Sequence, residues 1–112
     1  MRIQYFTVLV NFNIFVFGMM KVEFNTKALN DYYFCLYSGK QPFSEIILER
    51  YRKVITYMTQ ADNINMLSKF RGLNIEKYEN HWSARINDQF RVEFDFIKPT
   101  TIVILKISKH YE

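Results

Sequence analysis

One cysteine, two prolines and three glycines are spread over 112 residues. A lone Cys35 cannot close an internal disulfide and has no companions at metal-ligand spacing, which argues against a disulfide scaffold or a zinc site and favours a reducing compartment. It is expected as buried packing within a helix. So little proline and glycine, beside 49% hydrophobic residues, excludes collagen-like and disordered chains. Neither sign of charge dominates. A net charge of +4 and a pI near 9.2 suit a polyanionic partner but fall short of a non-specific nucleic-acid coat. A chain this short makes one domain, burying roughly 60 to 65% of its unfolded surface.

An uninterrupted apolar run long enough for a membrane is missing too. Met1 to Met19 carries one charge, Arg2, but Asn11 and Asn13 interrupt its apolar stretch, and a spanning helix needs about 20 largely apolar residues. A cleaved leader needs a small-x-small site, and only Gly18 precedes Lys21. The favoured reading takes 1–19 as an apolar N-terminal extension from a mis-assigned start, with the domain running from Met20 to Glu112. If the extension is made, the alternation Phe6, Val8, Val10, Phe12, Ile14, Val16 suits an added strand.

From Met20 the chain alternates as a strand over Lys21 to Asn25, and Asn25-Thr26 can cap a helix. Leu29, Tyr32, Tyr33, Leu36 and Tyr37 form its apolar stripe, stopped by Ser38-Gly39-Lys40. Pro42 opens a second helix with Ile47, Tyr51, Val54, Ile55 and Met58 inward, and Glu45, Glu49, Arg50, Arg52 and Lys53 solvated. A polar segment from Asp62 to Asn80 predicts loop with short helical turns, its Lys69 and Arg71 available for phosphate contacts. His81 to Ile86, Gln89 to Phe96 and Thr101 to Ile107 are then three strands, Pro99-Thr100 making the second turn. The last is nearly continuous in apolar residues, so a strand that is central or covered on both faces is expected. The order is β-α-α-β-β-β, an α+β architecture with a helical hairpin packed on an antiparallel sheet.

Within "HWSARINDQFRVEF" two registers compete. A two-residue turn would mix apolar and charged side chains on one surface. A three-residue loop pairs Ile86 with Phe90, Ala84 with Val92 and Trp82 with Phe94, leaving Arg85 opposite Arg91, Ser83 opposite Glu93 and His81 opposite Asp95. A one-residue slip turns every side chain over, so the clean partition is the predicted one. Facing arginines repel unless something negative sits beside them: Glu93 or Asp95, or a bidentate phosphate.

These features together resemble the RelE/ParE toxin superfamily, and more closely the HigB-like toxins of type II toxin–antitoxin systems. The resemblance covers Met20 to Glu112 and rests on the opening "MKVEFNTKAL", the helical hairpin, the serine, arginine, turn, arginine hairpin and the closing "ILKISKHYE". It implies a RelE-like fold and a cytoplasmic, ribosome-dependent mRNA endonuclease that inhibits translation. In that reaction the ribose 2′-hydroxyl attacks the scissile phosphate without metal or cofactor. The implied partners are mRNA on the ribosome and a cognate antitoxin of helix-turn-helix type, with no stable membrane association.

Carried over by position, Arg91 contacts the scissile phosphate and Arg85 is the second hairpin arginine. His110 is the candidate general acid or base, Tyr111 stacks on a base or shares the proton work, and Lys109 holds phosphate. The terminal histidine and tyrosine stand in reversed order relative to the family ending. His81 is a further candidate, its simpler reading a solvated strand residue. The resemblance leaves a ParE-like DNA gyrase inhibitor and a catalytically inactive antitoxin-binding relative as alternatives.

Overall fold

The computed structural model describes residues 20–97 and 100–109. Five strands form one sheet: β1 (Lys21–Phe24), β2 (Glu76–Lys77), β3 (Trp82–Arg85), β4 (Phe90–Ile97) and β5 (Thr101–Lys109), in the spatial order β1-β5-β4-β3-β2. Helices α1 (Lys27–Phe34), α2 (Glu45–Gln60) and α3 (Ile64–Leu67) follow β1 in the chain, with a 3₁₀ turn at Arg71–Leu73. Val22, Phe24, Ala84, Val92, Phe94, Ile102 and Ile104 share one buried cluster with Leu29, Leu48, Tyr51, Ile55 and Met58, so the helices cover the face to which those strand residues point. Among the described residues no helix is long and apolar enough to cross a membrane. The 1–19 extension, Pro99, His110 and Tyr111 lie outside the described residues.

The α+β class holds, but the expected element order and the wholly antiparallel sheet do not. β1 lies parallel to β5, with Val22 beside Ile102 and Phe24 beside Ile104, so the sheet is mixed. β5 thus has neighbours on both sides, in keeping with its apolar run. A strand absent from the sequence reading, β2, pairs with the start of β3 through Glu76 with Ser83 and Lys77 with Trp82. Two residues are too few to show an alternation. β5 also runs two residues past its expected end. Ser108 pairs with Arg91 and Lys109 with Phe90, so Lys109 belongs to the sheet rather than to a tail. A bulge makes this possible. Phe94 pairs with Ile104 but Glu93 pairs with Lys106, leaving Leu105 uncounted. Were the ladder regular, with Leu105 opposite Glu93, Lys106 would fall opposite Val92 on the core side, at the cost of burying a charge.

The helical hairpin forms with shifted ends. Thr26 Oγ1 accepts from Leu29 N at 3.2 Å and starts α1. The helix stops at Phe34, because Cys35 takes the left-handed conformation at φ 59° and the N–H groups of Cys35 and Leu36 both donate to the Asp31 carbonyl. Cys35 is therefore exposed rather than buried in a helix, and Leu36, 66% exposed, has left the expected stripe. Ser44, not Pro42, caps α2, its Oγ accepting from Ile47 N at 3.3 Å. The expected inner face of α2 is buried throughout.

Arg52 departs from the solvated row. It donates to the Tyr32 carbonyl at 3.0 Å, to Tyr37 Oη at 3.1 Å and to Glu45 at 2.6 Å, tying the segment after α1 to α2. Inside the hairpin Tyr51 Oη donates to the Leu29 carbonyl at 2.8 Å, and burial pushes its phenol well above the ordinary range.

Candidate anion-binding cleft on the open sheet face

The hairpin of β3 and β4 has the predicted register: Trp82 with Phe94, Ser83 with Glu93, Ala84 with Val92 and Arg85 with Arg91. Ile86 N donates to the Phe90 carbonyl at 2.9 Å, closing the three-residue loop. Asn87 fixes that loop, since its Oδ1 accepts from both Gln89 N and Phe90 N at 2.8 Å. Alternation then sends Ser83, Arg91 and Glu93 to the face opposite the core cluster.

There the loop from Tyr78 to His81 and the end of β5 wall a cleft of about 490 Å³. Ser83, Arg91, Glu93 and Ser108 line it from the sheet, and Tyr78, His81 and Lys109 from its rim. The Arg91 side chain is 12% exposed, and its Nε and Nη1 are buried with no hydrogen-bond partner. Nη1 lies 3.9 Å from Glu76 Oε1, near enough for charge compensation and too far for a hydrogen bond. Ser83 Oγ, in a residue 1% exposed, is unpartnered as well. A buried guanidinium with open donors is costly unless a ligand completes it, and its flat fork fits two oxygens of a phosphate or carboxylate.

His81 occupies the rim. Its Nε2 is 3.1 Å from Glu93 Oε1 and its Nδ1 is 3.2 Å from Asn80 Oδ1, while its ring lies against Tyr78 at 5.2 Å. The expected partner was Asp95. The side chain instead leans along the strands to Glu93, the diagonal neighbour, because β3 starts only at Trp82.

Arg85 does not join Arg91. It pairs with Asp88 in the turn and lines a second cleft beside α2, as does Arg71. Neither arginine is neutralised by the residues expected for the purpose, Glu93 and Asp95: Arg91 has Glu76 and Arg85 has Asp88. Lys69 is exposed and lines neither of these clefts. Arg91, His81 and Lys109 are therefore brought together among the sequence-predicted candidates, while Arg85 and Arg71 belong elsewhere. Ser83 and Ser108 were not anticipated as site residues; a serine on the polar phase of a strand carries little signal by itself, and Ser108 lay beyond the expected strand end. Among the described residues no group of three His, Cys, Asp or Glu side chains could hold a metal ion.

In comparisons with known proteins, no family model, no curated protein and no solved structure matches the chain.

Proposed function

We propose that the open-face cleft binds a phosphodiester of single-stranded RNA and that the protein is an endoribonuclease acting on mRNA, the toxin component of a HigB-like toxin–antitoxin pair. The observation that carries this reading is the buried Arg91 fork, whose Nε and Nη1 have no hydrogen-bond partner, in a residue that lines a polar cleft. In the proposed reaction the ribose 2′-oxygen attacks phosphorus, its proton passes to a base, and the 5′-oxygen leaves with a proton from an acid. Arg91 holds the non-bridging oxygens, where the charge of the transition state grows. Ser83 and Ser108 add neutral donors, and Lys109 a further cation at the rim. His110 and Tyr111 are the proton-handling candidates carried over from the resemblance, with His81 as the imidazole within the cleft.

Primer-extension mapping of cellular mRNAs after brief expression tests the reading, with and without translation. Cuts in frame with codons that vanish when ribosomes are blocked are expected, as is their loss in Arg91→Ala. Altered DNA supercoiling without mRNA cuts would replace the nuclease with a gyrase inhibitor. Toxicity and cleavage unchanged in Arg91→Ala would remove this cleft from the mechanism.

A further inference from the structure

A second groove, about 610 Å³, runs between the outer side of α2 and the segment Phe70–Leu73, ending at Arg85 and Ile86. Two large apolar side chains stand at its ends on α2: Ile46, 63% exposed, and Tyr57, 44% exposed. Eleven residues separate them, about 16 Å along a helix axis, or three turns. Between them lie Arg50 and Lys53, and Arg71 faces them from the other wall. None of these three cations makes a hydrogen bond or ion pair with a described residue, whereas Arg52 on the same helix is engaged by Glu45. Glu49 is the sole acidic residue of the lining. Gly72 also lines the groove, and there is open space for a side chain on it, with nothing within 4 Å of where its Cβ would stand.

We infer that this groove is a docking site for a helical segment of a partner protein, about eleven residues long. Such a segment sets apolar side chains near Ile46 and Tyr57 and acidic side chains against Arg50, Lys53 and Arg71. Charge complementarity fixes the sign of the occupant, and the apolar anchors fix its kind. A helix laid beside α2 buries Ile46 and Tyr57 with anchors about three turns apart and gives the three cations carboxylates. Single-stranded RNA is the poorer fit. It needs free aromatic faces, and the Tyr57 ring already packs on Phe70 with centroids 5.1 Å apart. The inference stands on the groove alone and does not depend on RNA cleavage at the open-face cleft.

The test is selection of displayed peptides from a randomised helical library, panned against the full chain and counter-selected on Gly72→Phe. That variant adds a bulky ring to the groove lining without changing charge, and its fold is checked by thermal melting. Recovered peptides should carry an apolar pair about three turns apart with Asp or Glu between. Hydrogen exchange should slow in α2 and in 70–73 when a winner binds. Arg50→Glu and Ile46→Asp, both at exposed positions, should each weaken that peptide at least tenfold. Winners without acidic residues, winners that bind Gly72→Phe equally well, or protection mapping elsewhere would overturn the proposal. So would a twelve-nucleotide oligouridylate that binds wild type, slows exchange in the same segments and is lost with Arg50→Glu but retained with Ile46→Asp.

Discussion

Arg85 and Arg91 occupy directly opposed positions on β3 and β4, yet their guanidinium groups line different clefts. Like charges across a ladder repel, and separation of the side chains relieves that cost without any change of register. Arg85 is settled by Asp88 within the turn, while Arg91 enters the sheet face with Glu76 at 3.9 Å. One cross-strand pair therefore contributes to two surfaces.

Arg91 is predicted to trade stability for function. Replacing it by Met should leave thermal stability unchanged or raise it by about 1 kcal/mol, because a buried, incompletely bonded charge is exchanged for packing. RNA cleavage should fall by roughly 100-fold or more in the same variant. Lysine should not restore activity, since a point charge cannot reproduce the two-pronged contact. Melting curves and single-turnover cleavage of one oligoribonucleotide read both effects; a strongly destabilised Arg91→Met would show that the guanidinium is better satisfied than its geometry implies.

Arg85→Ala should separate from Arg91→Ala. With its side chain in the groove beside α2, it is expected to alter cleavage less than about threefold, a shift too small for a direct transition-state contact. A loss as large as that of Arg91→Ala would mean that the two arginines act on one phosphate after all.

Tyr51→Phe removes the buried side-chain hydrogen bond to the Leu29 carbonyl that links α2 to α1. A destabilisation of about 1 to 2 kcal/mol is expected, read as a fall of several degrees in Tm. Cleavage should be unchanged below the melting range, because the bond lies on the helical side of the sheet.

Glu45 supplies a pH signature. The hydrogen bond from Arg52, reinforced by that from Tyr37, holds its carboxyl below the ordinary carboxylate range. A depressed folded-state pKa means that the stabilisation is present above the unfolded value and is lost as pH falls through the folded one. The acid limb of the stability profile should therefore flatten in Glu45→Gln. An identical acid limb in wild type and variant would assign the dependence to other carboxylates. The exposure of Glu45 makes this a small effect.

Strict alternation made the β3–β4 hairpin legible in the sequence: apolar residues fall on one phase of both strands, and Asn87 offers a side chain suited to the turn. The inner face of α2 was legible for the same reason at helical spacing. Cys35 was misread because helix propensity says little about where a left-handed residue will end a helix. Arg52 was misread because a charged side chain on the outer row of a helix can still reach carbonyls of a neighbouring segment. The destination of Arg85 depends on a turn carboxylate three residues away, which register alone does not reveal. Ser83 and the open donors of Arg91 emerge only when the fold closes around them.

Leu105 has a consequence for how this protein tolerates change. The ladder skips it, so the strand keeps time in two separate beats: Ile102 and Ile104 before the skip, Ile107 after it, odd and even positions having exchanged duties. A regular, uninterrupted pairing of the same residues would bring Lys106 and Ser108 to the helical side and empty the cleft of Ser108. Deleting Leu105 should instead preserve Glu93 beside Lys106 and Arg91 beside Ser108, whereas inserting a residue between Lys106 and Ile107 should displace Ser108 from Arg91. Variants of this strand should thus be governed by the parity of residues between Phe94's partner and Arg91's, and a deletion should be gentler than an insertion two positions away.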